Sequence, residues 1–249
     1  MSSLVIGVLA LQGAFARHAA IFQDVGVKVV EVRKPADLAA CDALVIPGGE
    51  STTIMKQMQF IDFFDAFIKF SAHKPVFGTC AGLILMSKKV TGNVLEPFNL
   101  EVQDNKVMQD FDSESLSMGA DHSQKVKAAP IRSDYGSKDC VKLLSSTAVS
   151  RFNLLDVEVE RNAFGRQAES FQTDLDICLK GRSKQIPATF IRAPRIRHVG
   201  QAVDVLGSFE GEPVLVQQGL HLGATFHPEL TQDHTIHAYF LSLVESSRK

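Results

Sequence analysis

The chain has 249 residues, 45% of them hydrophobic, and its 26 Lys and Arg residues nearly balance 28 Asp and Glu residues, giving a formal net charge of −2 at pH 7. A chain of this size can bury a large core, and we expect a single domain over residues 1–249. The charge balance offers no overall attraction for nucleic acid or for an anionic membrane, so we expect neither as a partner.

The N-terminal apolar run breaks at Gly7 and ends at Gln12. It is too short to span a bilayer, and it lacks the basic residues that precede the apolar part of a signal peptide. The cysteines stand far apart without a C-x-x-C pair, which argues against a zinc knuckle and against a disulfide framework. We therefore expect a cytoplasmic protein.

The first third of the chain alternates apolar runs with helical patterns. Buried strands are predicted over residues 3–11, 27–33, 43–49 and 75–80. Helices are predicted over residues 15–26, 50–70 and 81–89, the second as one long amphipathic helix. This order predicts an α/β fold with a doubly wound, mostly parallel sheet flanked by helices, whose ligands bind at the carboxyl ends of the strands.

The remainder of the chain divides into two parts. Residues 93–153 are polar and rich in Ser and Asp, which predicts a surface insertion, partly disordered. Shorter strands are then predicted over residues 154–165, 188–194, 202–209, 213–219 and 222–230. A helix over residues 231–247, with Thr231 as its N-cap, closes the chain.

Cys80 lies at the centre of G-T-C-A-G (residues 78–82), where a predicted strand meets a predicted helix. Glycine two residues away on either side is typical of a nucleophile elbow, a turn too tight for a larger side chain. A helix N-terminus and a neighbouring histidine both stabilise a thiolate. We interpret Cys80 as a nucleophile, and Cys41, Cys140 and Cys178 as buried structural residues.

A thiolate nucleophile needs a general base and a group that orients the base, and "TFHPEL" supplies both. In an extended segment the side chains of His227 and Glu229 point the same way, so the carboxylate can reach one ring nitrogen. "HPELTQDHTIH" could also hold metal ligands, but it lacks a zinc-protease pattern, and we expect neither a metal nor a cofactor. The other histidines are interpreted as structural or solvated: His18, His73, His122, His198, His221, His234 and His237.

The segment "PGGEST" (residues 47–52) ends the third predicted strand. Gly48 and Gly49 can bring backbone N–H groups to an oxyanion, and Ala81, directly after the nucleophile, can donate another. We predict an oxyanion hole formed by Gly49 and Ala81. The alternative is an ordinary glycine turn followed by a helix cap.

Several stretches together resemble the glutaminase subunits of pyridoxal 5′-phosphate synthase, a family of class I (triad) glutamine amidotransferases. These stretches are "GVLALQGAFARH", "LVIPGGESTT", "FGTCAGLILM", "VERNAFGRQ", "FIRAP" and "FHPELTQDH". The resemblance runs over residues 4–92 and 154–245. It implies hydrolysis of L-glutamine to glutamate and ammonia through a cysteine thioester. The resemblance also implies that the ammonia passes through the protein interior to a separate synthase (lyase) subunit, which would build pyridoxal 5′-phosphate from ribose 5-phosphate and glyceraldehyde 3-phosphate.

The resemblance also implies residue roles and an assembly. Cys80, His227 and Glu229 would be the catalytic triad. Substrate-binding positions would be Gly49, Glu50, Ser51, Arg161, Ile191 and Arg192. Gln12 resembles a family position near the active site and the partner interface. The family assembly places twelve glutaminases around a dodecameric synthase core.

Three alternatives stay open on the sequence. The chain could be a docking or regulatory subunit with negligible turnover, or another cysteine hydrolase on the same fold, such as a peptidase or a γ-glutamyl hydrolase. Arg192, Arg195 and Arg197 could form a nucleic-acid patch, although the neutral charge balance and the absence of interleaved aromatic residues favour a solvated face for Arg195 and Arg197.

Overall fold

The structure is a computed structural model that describes residues 4–92, 152–161 and 170–248. The described residues belong to one compact unit, assembled from residues 1–95 and 150–249. Most of the predicted insertion, residues 93–151, lies outside the described residues. The insertion and the single domain therefore stay predictions.

The first part of the chain alternates strands and helices, as the apolar runs predict. Its elements are β1 (Val5–Leu9), α1 (Phe15–Asp24), β2 (Lys28–Val32), a 3-10 turn (Pro35–Ala40), β3 (Ala43–Ile46), α2 (Ser51–Phe60), α3 (Phe64–Ser71), β4 (Val76–Thr79), α4 (Ala81–Met86) and β5 (Ser87–Thr91). The predicted helix over residues 81–89 is thus too long, because its last residues begin a strand.

The second part is mainly strands. Its described elements are β6 (Leu155–Glu160), β7 (Phe171–Leu179), β8 (Arg182–Phe190), β9 (Arg195–Val199), β10 (Asp204–Phe209), β11 (Glu212–Gln218), β12 (His221–Ala224), a 3-10 turn (Pro228–Leu230) and α5 (Thr235–Ser247). Thr231 is not the N-cap of the last helix: α5 begins later, and the N–H of Thr235 donates to Asp233 Oδ1 at 2.7 Å.

A nine-stranded sheet in the order β2-β1-β3-β4-β12-β11-β10-β7-β8 forms the centre of the fold. Along this order, each pair of adjacent strands from β2 to β12 is parallel. Each pair of adjacent strands from β12 to β8 is antiparallel. The α/β class with a parallel sheet is confirmed, and the antiparallel extension is an addition that the sequence patterns did not predict. A second sheet has the order β5-β6-β9.

The core lies on both faces of the parallel strands. Every residue of β3 and β4 is buried, as expected for strands covered on both sides. Phe77 of β4 packs against Phe240 of α5, with ring centroids 5.4 Å apart. This packing fixes the carboxyl end of β4, where Cys80 follows.

The predicted helix over residues 50–70 is wrong, because α2 and α3 are separate helices. Asp62 has a left-handed φ of 52°. Its N–H donates to Gln59 O at 3.1 Å, and the N–H of Phe63 donates to Met58 O at 2.9 Å. These two bonds form a Schellman motif, which ends α2 with aspartate at the usual glycine position. The turn buries Phe63 completely and leaves Phe60 89% exposed.

Candidate active site

Cys80 occupies a sharp turn between β4 and α4. Its backbone has φ 48° and ψ −102°, a conformation that non-glycine residues rarely adopt. A Cβ on Gly78 would come within 2.6 Å of the Gly82 backbone, and a Cβ on Gly82 would overlap the carbonyl oxygen of Ile46. The two glycines of the motif are therefore required by the close approach of β3, β4 and α4. The turn places Cys80 in the strand-to-helix geometry expected of a nucleophile elbow.

His227 connects Cys80 with Glu229. Its Nδ1–H donates to Glu229 Oε1 at 2.8 Å, which leaves Nε2 as the ring nitrogen available to Cys80. Burial by itself lowers the pKa of His227, but the hydrogen bonds and charges of Cys80 and Glu229 outweigh it and raise the pKa to about 10. This arrangement stabilises the imidazolium form of His227.

The backbone that brings these side chains together differs from the expectation. Residues 227–229 do not form an extended segment, since His227 precedes the 3-10 turn Pro228–Leu230. The turn, rather than the alternation of a strand, places Glu229 against the His227 ring. The N–H of His227 donates to Thr189 O of β8 at 2.8 Å, which anchors the turn to the sheet.

The loop after β3 packs directly against the histidine. A Cβ on Gly48 would lie 2.8 Å from His227 Nδ1 and closer still to Cε1. The carbonyl of Gly48 accepts a hydrogen bond from Ala14 N at 3.0 Å, and Gln12 Oε1 accepts one from Glu50 N at 2.8 Å. The predicted glycine turn thus lies at the site. The segment that contains Gln12 holds this turn through the two hydrogen bonds.

Arg161 and Glu50 form an ion pair near this loop. Arg161 Nη2 lies 3.3 Å from Glu50 Oε1 and 3.4 Å from Thr52 Oγ1. Glu50 also caps α2 by accepting hydrogen bonds from the N–H groups of Thr52 and Thr53. Burial alone raises the pKa of Glu50, but these hydrogen bonds lower it below the usual value. Ser51, which follows Glu50 in the sequence and is the first residue of α2, is buried.

The segment after β8 also lies near the nucleophile. The carbonyl oxygen of Ile191 lies 4.0 Å from Cys80 Sγ, and Arg192 follows with a left-handed φ of 44°. Arg197 pairs with Glu160 and Glu212, and Arg195 pairs with Glu212. These two arginines therefore belong to a surface ion-pair network, which agrees with their interpretation as a solvated face.

His18 is a buried neighbour of the triad that the sequence patterns did not single out. Its Nε2 lies 3.3 Å from Glu229 Oε2 and 3.2 Å from Thr79 Oγ1, and its Nδ1 lies 2.9 Å from His237 Nε2. The signal available in the sequence was its position in "GVLALQGAFARH", one of the stretches that carry the family resemblance.

The remaining cysteines differ from one another. Cys41 is buried, and burial together with the charges of Asp37 and Asp42 raises the pKa of its thiol to about 11, which suits an inert structural residue. The prediction that Cys178 is buried is wrong, because it occupies an exposed position on β7. Cys140 lies outside the described residues.

The described residues, 4–92, 152–161 and 170–248, contain neither a candidate metal cluster nor a helix that could span a membrane. Among these residues, no three His, Cys, Asp or Glu side chains gather closely enough to hold a metal ion. In the same ranges, no helix combines the length and the apolar character needed to cross a membrane.

The α/β sheet and the Cys80–His227–Glu229 arrangement at the elbow define the geometry of a cysteine-dependent hydrolase. The model of the SNO glutamine amidotransferase family matches residues 8–135 and 139–246, and the chain belongs to this family. The chain is therefore a glutamine amidotransferase, which confirms the resemblance and the enzyme class inferred from the sequence.

Individual relatives agree with this family. The "Pyridoxal 5′-phosphate synthase subunit PdxT" of Niallia circulans is 40% identical, with 98% of this chain and 99% of the relative covered. The protein of the same name from Halalkalibacterium halodurans is 39% identical, with 98% and 96% covered. A crystal structure of a glutamine amidotransferase is 35% identical, with a TM-score of 0.69 and 96% and 98% of the two chains covered.

Proposed function

We propose that the chain is the glutaminase subunit of a pyridoxal 5′-phosphate synthase. It hydrolyses L-glutamine to L-glutamate and ammonia and delivers the ammonia to a synthase subunit. The observation that carries the proposal is the buried His227 ring, which donates to Glu229 Oε1 at 2.8 Å and interacts with Cys80. Membership of the amidotransferase family supports glutamine as the substrate, and the names of the relatives support the pathway.

In the first half of the reaction, the Cys80 thiolate attacks the side-chain amide carbon of glutamine. The carbonyl oxygen becomes an oxyanion, which the N–H groups of Gly49 and Ala81 stabilise. Ala81 is the first residue of α4, so its N–H has no partner within the helix. The imidazolium of His227 then gives its proton to the leaving nitrogen, ammonia departs, and a γ-glutamyl thioester remains on Cys80.

In the second half, water attacks the thioester. His227, now neutral, accepts a proton from the water, and the carbon–sulfur bond breaks to release glutamate and restore the thiolate–imidazolium pair. Glu229 accepts the Nδ1–H bond throughout and keeps the Nε2 atom of His227 directed at the reacting atoms. Its role is to orient and stabilise the imidazolium, without itself taking the proton.

The walls of the site suit a zwitterionic substrate. The Arg161 guanidinium, which is 15% exposed, can pair with the α-carboxylate, and the half-exposed Glu50 carboxylate can pair with the α-ammonium. Gly49 and Ser51 line the bound glutamine at the start of α2. Ile191 and Arg192 complete the pocket beside the Cys80 sulfur.

The proposal includes an assembly and a location. The glutaminase docks on the synthase subunit through a surface that includes the segment of Gln12, and twelve copies surround a dodecameric synthase in the cytoplasm. Gln12 contacts the loop of Gly49 and Glu50, so docking at this segment reaches the predicted oxyanion hole directly.

The test is ammonia release from L-glutamine by the chain alone and mixed with the synthase subunit of a related pyridoxal 5′-phosphate synthase. Cys80→Ala should abolish release, whereas Cys178→Ala, which removes an exposed cysteine, should leave it unchanged. Complex formation without ammonia release would favour a docking subunit instead. Preference for a γ-glutamyl peptide over free glutamine would favour another hydrolase of the same fold.

A further inference from the structure

We propose that His18 is a positioning residue of the glutaminase site: as a neutral imidazole it directs its Nε2–H towards Glu229 and so holds the carboxylate ionised and aimed at His227. This inference rests on the proposed function, because it assigns a role within the same reaction. It adds a fourth residue, from α1, to the three side chains that the sequence motifs predict.

The need for such a residue follows from the burial of Glu229. This carboxylate is 3% exposed, and a buried carboxylate is costly unless donors or positive charges face both of its oxygens. His227 donates to Oε1. No well-aligned hydrogen bond reaches Oε2 from any residue that the structure describes, and the His18 Nε2 atom at 3.3 Å is the donor that faces it. Without His18 this oxygen would be buried and uncompensated.

The protonation of His18 follows from its neighbours. A carboxylate only accepts hydrogen bonds, and a bare Nε2 lone pair 3.3 Å from Glu229 Oε2 would be repelled. Nε2 therefore carries the hydrogen, which Thr79 Oγ1 accepts at 3.2 Å, while Glu229 Oε2 lies 3.3 Å from the same nitrogen. The bare Nδ1 then accepts from the Nε2–H of His237 at 2.9 Å.

His237 closes this chain of contacts. With its Nε2–H donated to His18, its Nδ1 is a lone pair, and among the described residues that atom is buried without a hydrogen-bond partner. An unpaired acceptor of this kind is tolerated better than an unpaired N–H. The assigned tautomers thus leave every N–H in the chain of contacts with an acceptor.

The titratable groups around His18 agree with a neutral ring. Glu229 and His227 face it from the turn after β12, and His237 faces it from α5. Burial lowers the pKa of His18, and the nearby Glu229 opposes this only in part. Burial also lowers the pKa of His237. Neither histidine competes with His227 for the catalytic proton.

The test compares His18→Gln with His18→Asn, two amides of similar polarity. The glutamine amide nitrogen can occupy the position of the histidine Nε2 and face Glu229, whereas the asparagine amide nitrogen reaches only the Nδ1 position. The pH profile of kcat/KM for ammonia release is measured for each variant in the complex with the synthase subunit. Thermal unfolding is measured in parallel to check that each variant folds.

We expect His18→Asn to lower kcat/KM about 10-fold, the lower end of the effect of losing a hydrogen bond to a charged group, because the contact is long. Its acidic limb should move to higher pH, since Glu229 then holds a proton more strongly. His18→Gln should keep the parental limb. Equal losses in both variants with an unshifted profile, or parental kcat/KM in His18→Asn, would overturn the proposal.

A second readout separates this inference from the proposed function. Alkylation of Cys80 by iodoacetamide needs the thiolate but not glutamine hydrolysis, and its pH dependence should move to higher pH in His18→Asn and not in His18→Gln. If the parent released no ammonia, the proposed function would fail, and an unshifted alkylation profile would separately refute the role of His18. If neither His18 variant folds, the test uses His237→Leu, which removes the hydrogen-bond donor to His18 Nδ1. This variant should also shift the alkylation profile of Cys80 to higher pH. An unchanged profile would refute the proposal.

Discussion

Replacing Gly48 by alanine should impair catalysis through a single steric contact. The new Cβ would lie 2.8 Å from His227 Nδ1 and closer to Cε1, whereas ordinary contacts begin at 3.4 Å. The ring must therefore retreat by roughly 1 Å, and a displacement of that size can cost about 100-fold in rate. Gly48 has no left-handed φ, so the backbone itself can accommodate alanine.

The assay is kcat/KM for ammonia release in the complex with the synthase subunit, with thermal unfolding measured in parallel. We expect a fall of about 100-fold, equivalent to about 3 kcal/mol of transition-state stabilisation. The matched control is Gly207→Ala on β10, whose Cβ would lie 2.9 Å from Ile177 Cγ2. The control should lose stability by about 1 to 3 kcal/mol while keeping its kcat/KM. Parental kcat/KM in Gly48→Ala would refute the reasoning.

Three further predictions concern binding, stability and pH. Arg161→Ala should raise KM for glutamine by about 10- to 100-fold with a smaller change in kcat, because in the proposed site Arg161 pairs with the substrate carboxylate. Arg197→Ala, in the surface ion-pair network, should change neither KM nor kcat. Phe63→Ala should lower the free energy of unfolding by about 3 to 5 kcal/mol, whereas Phe60→Ala should change it by about 0.5 kcal/mol at most. Burial lowers the pKa of His237 below its ordinary value of 6.5, so unfolding takes up a proton at this residue as the pH falls through 6.5. The free energy of unfolding therefore decreases as the pH falls. His237→Gln removes this proton uptake and should reduce the loss of stability between about pH 7.5 and 5.5 by about 1 kcal/mol.

Each of these has a measurement that can contradict it. Steady-state kinetics showing an unchanged KM in Arg161→Ala would remove this arginine from the glutamine site. Equal unfolding free energies of the Phe60 and Phe63 variants in urea would contradict the turn at Asp62. If the parent and His237→Gln lost the same stability between the two pH values, His237 would not be a buried neutral histidine.

The features that the sequence predicted well are those set by local sterics and by continuous apolar runs. The runs in β1, β3 and β4 predict buried parallel strands because both of their faces are covered. Gly78 and Gly82 mark the turn at Cys80 because backbone atoms approach each of them too closely for a side chain. The spacing of the glycines records that constraint directly in the sequence.

The features that the sequence did not predict depend on packing or on contacts between distant parts of the chain. The apolar spacing continues through Asp62, so periodicity alone could not show a left-handed turn that lacks a glycine. In β7, Asp174 and Asp176 lie on an exposed face, and these acidic residues weaken the strand pattern. The contact of His18 with Glu229 joins α1 to the turn after β12, and no local pattern connects the two.

The central claim is that Cys80 carries the γ-glutamyl group during turnover. The most direct measurement is mass spectrometry of the complex with the synthase subunit after acid quenching during turnover of glutamine. We predict a γ-glutamyl adduct on the peptide that contains Cys80, absent from Cys80→Ala and retained in Cys178→Ala. Ammonia release that persists in Cys80→Ala, or turnover with the adduct on another residue, would contradict the account.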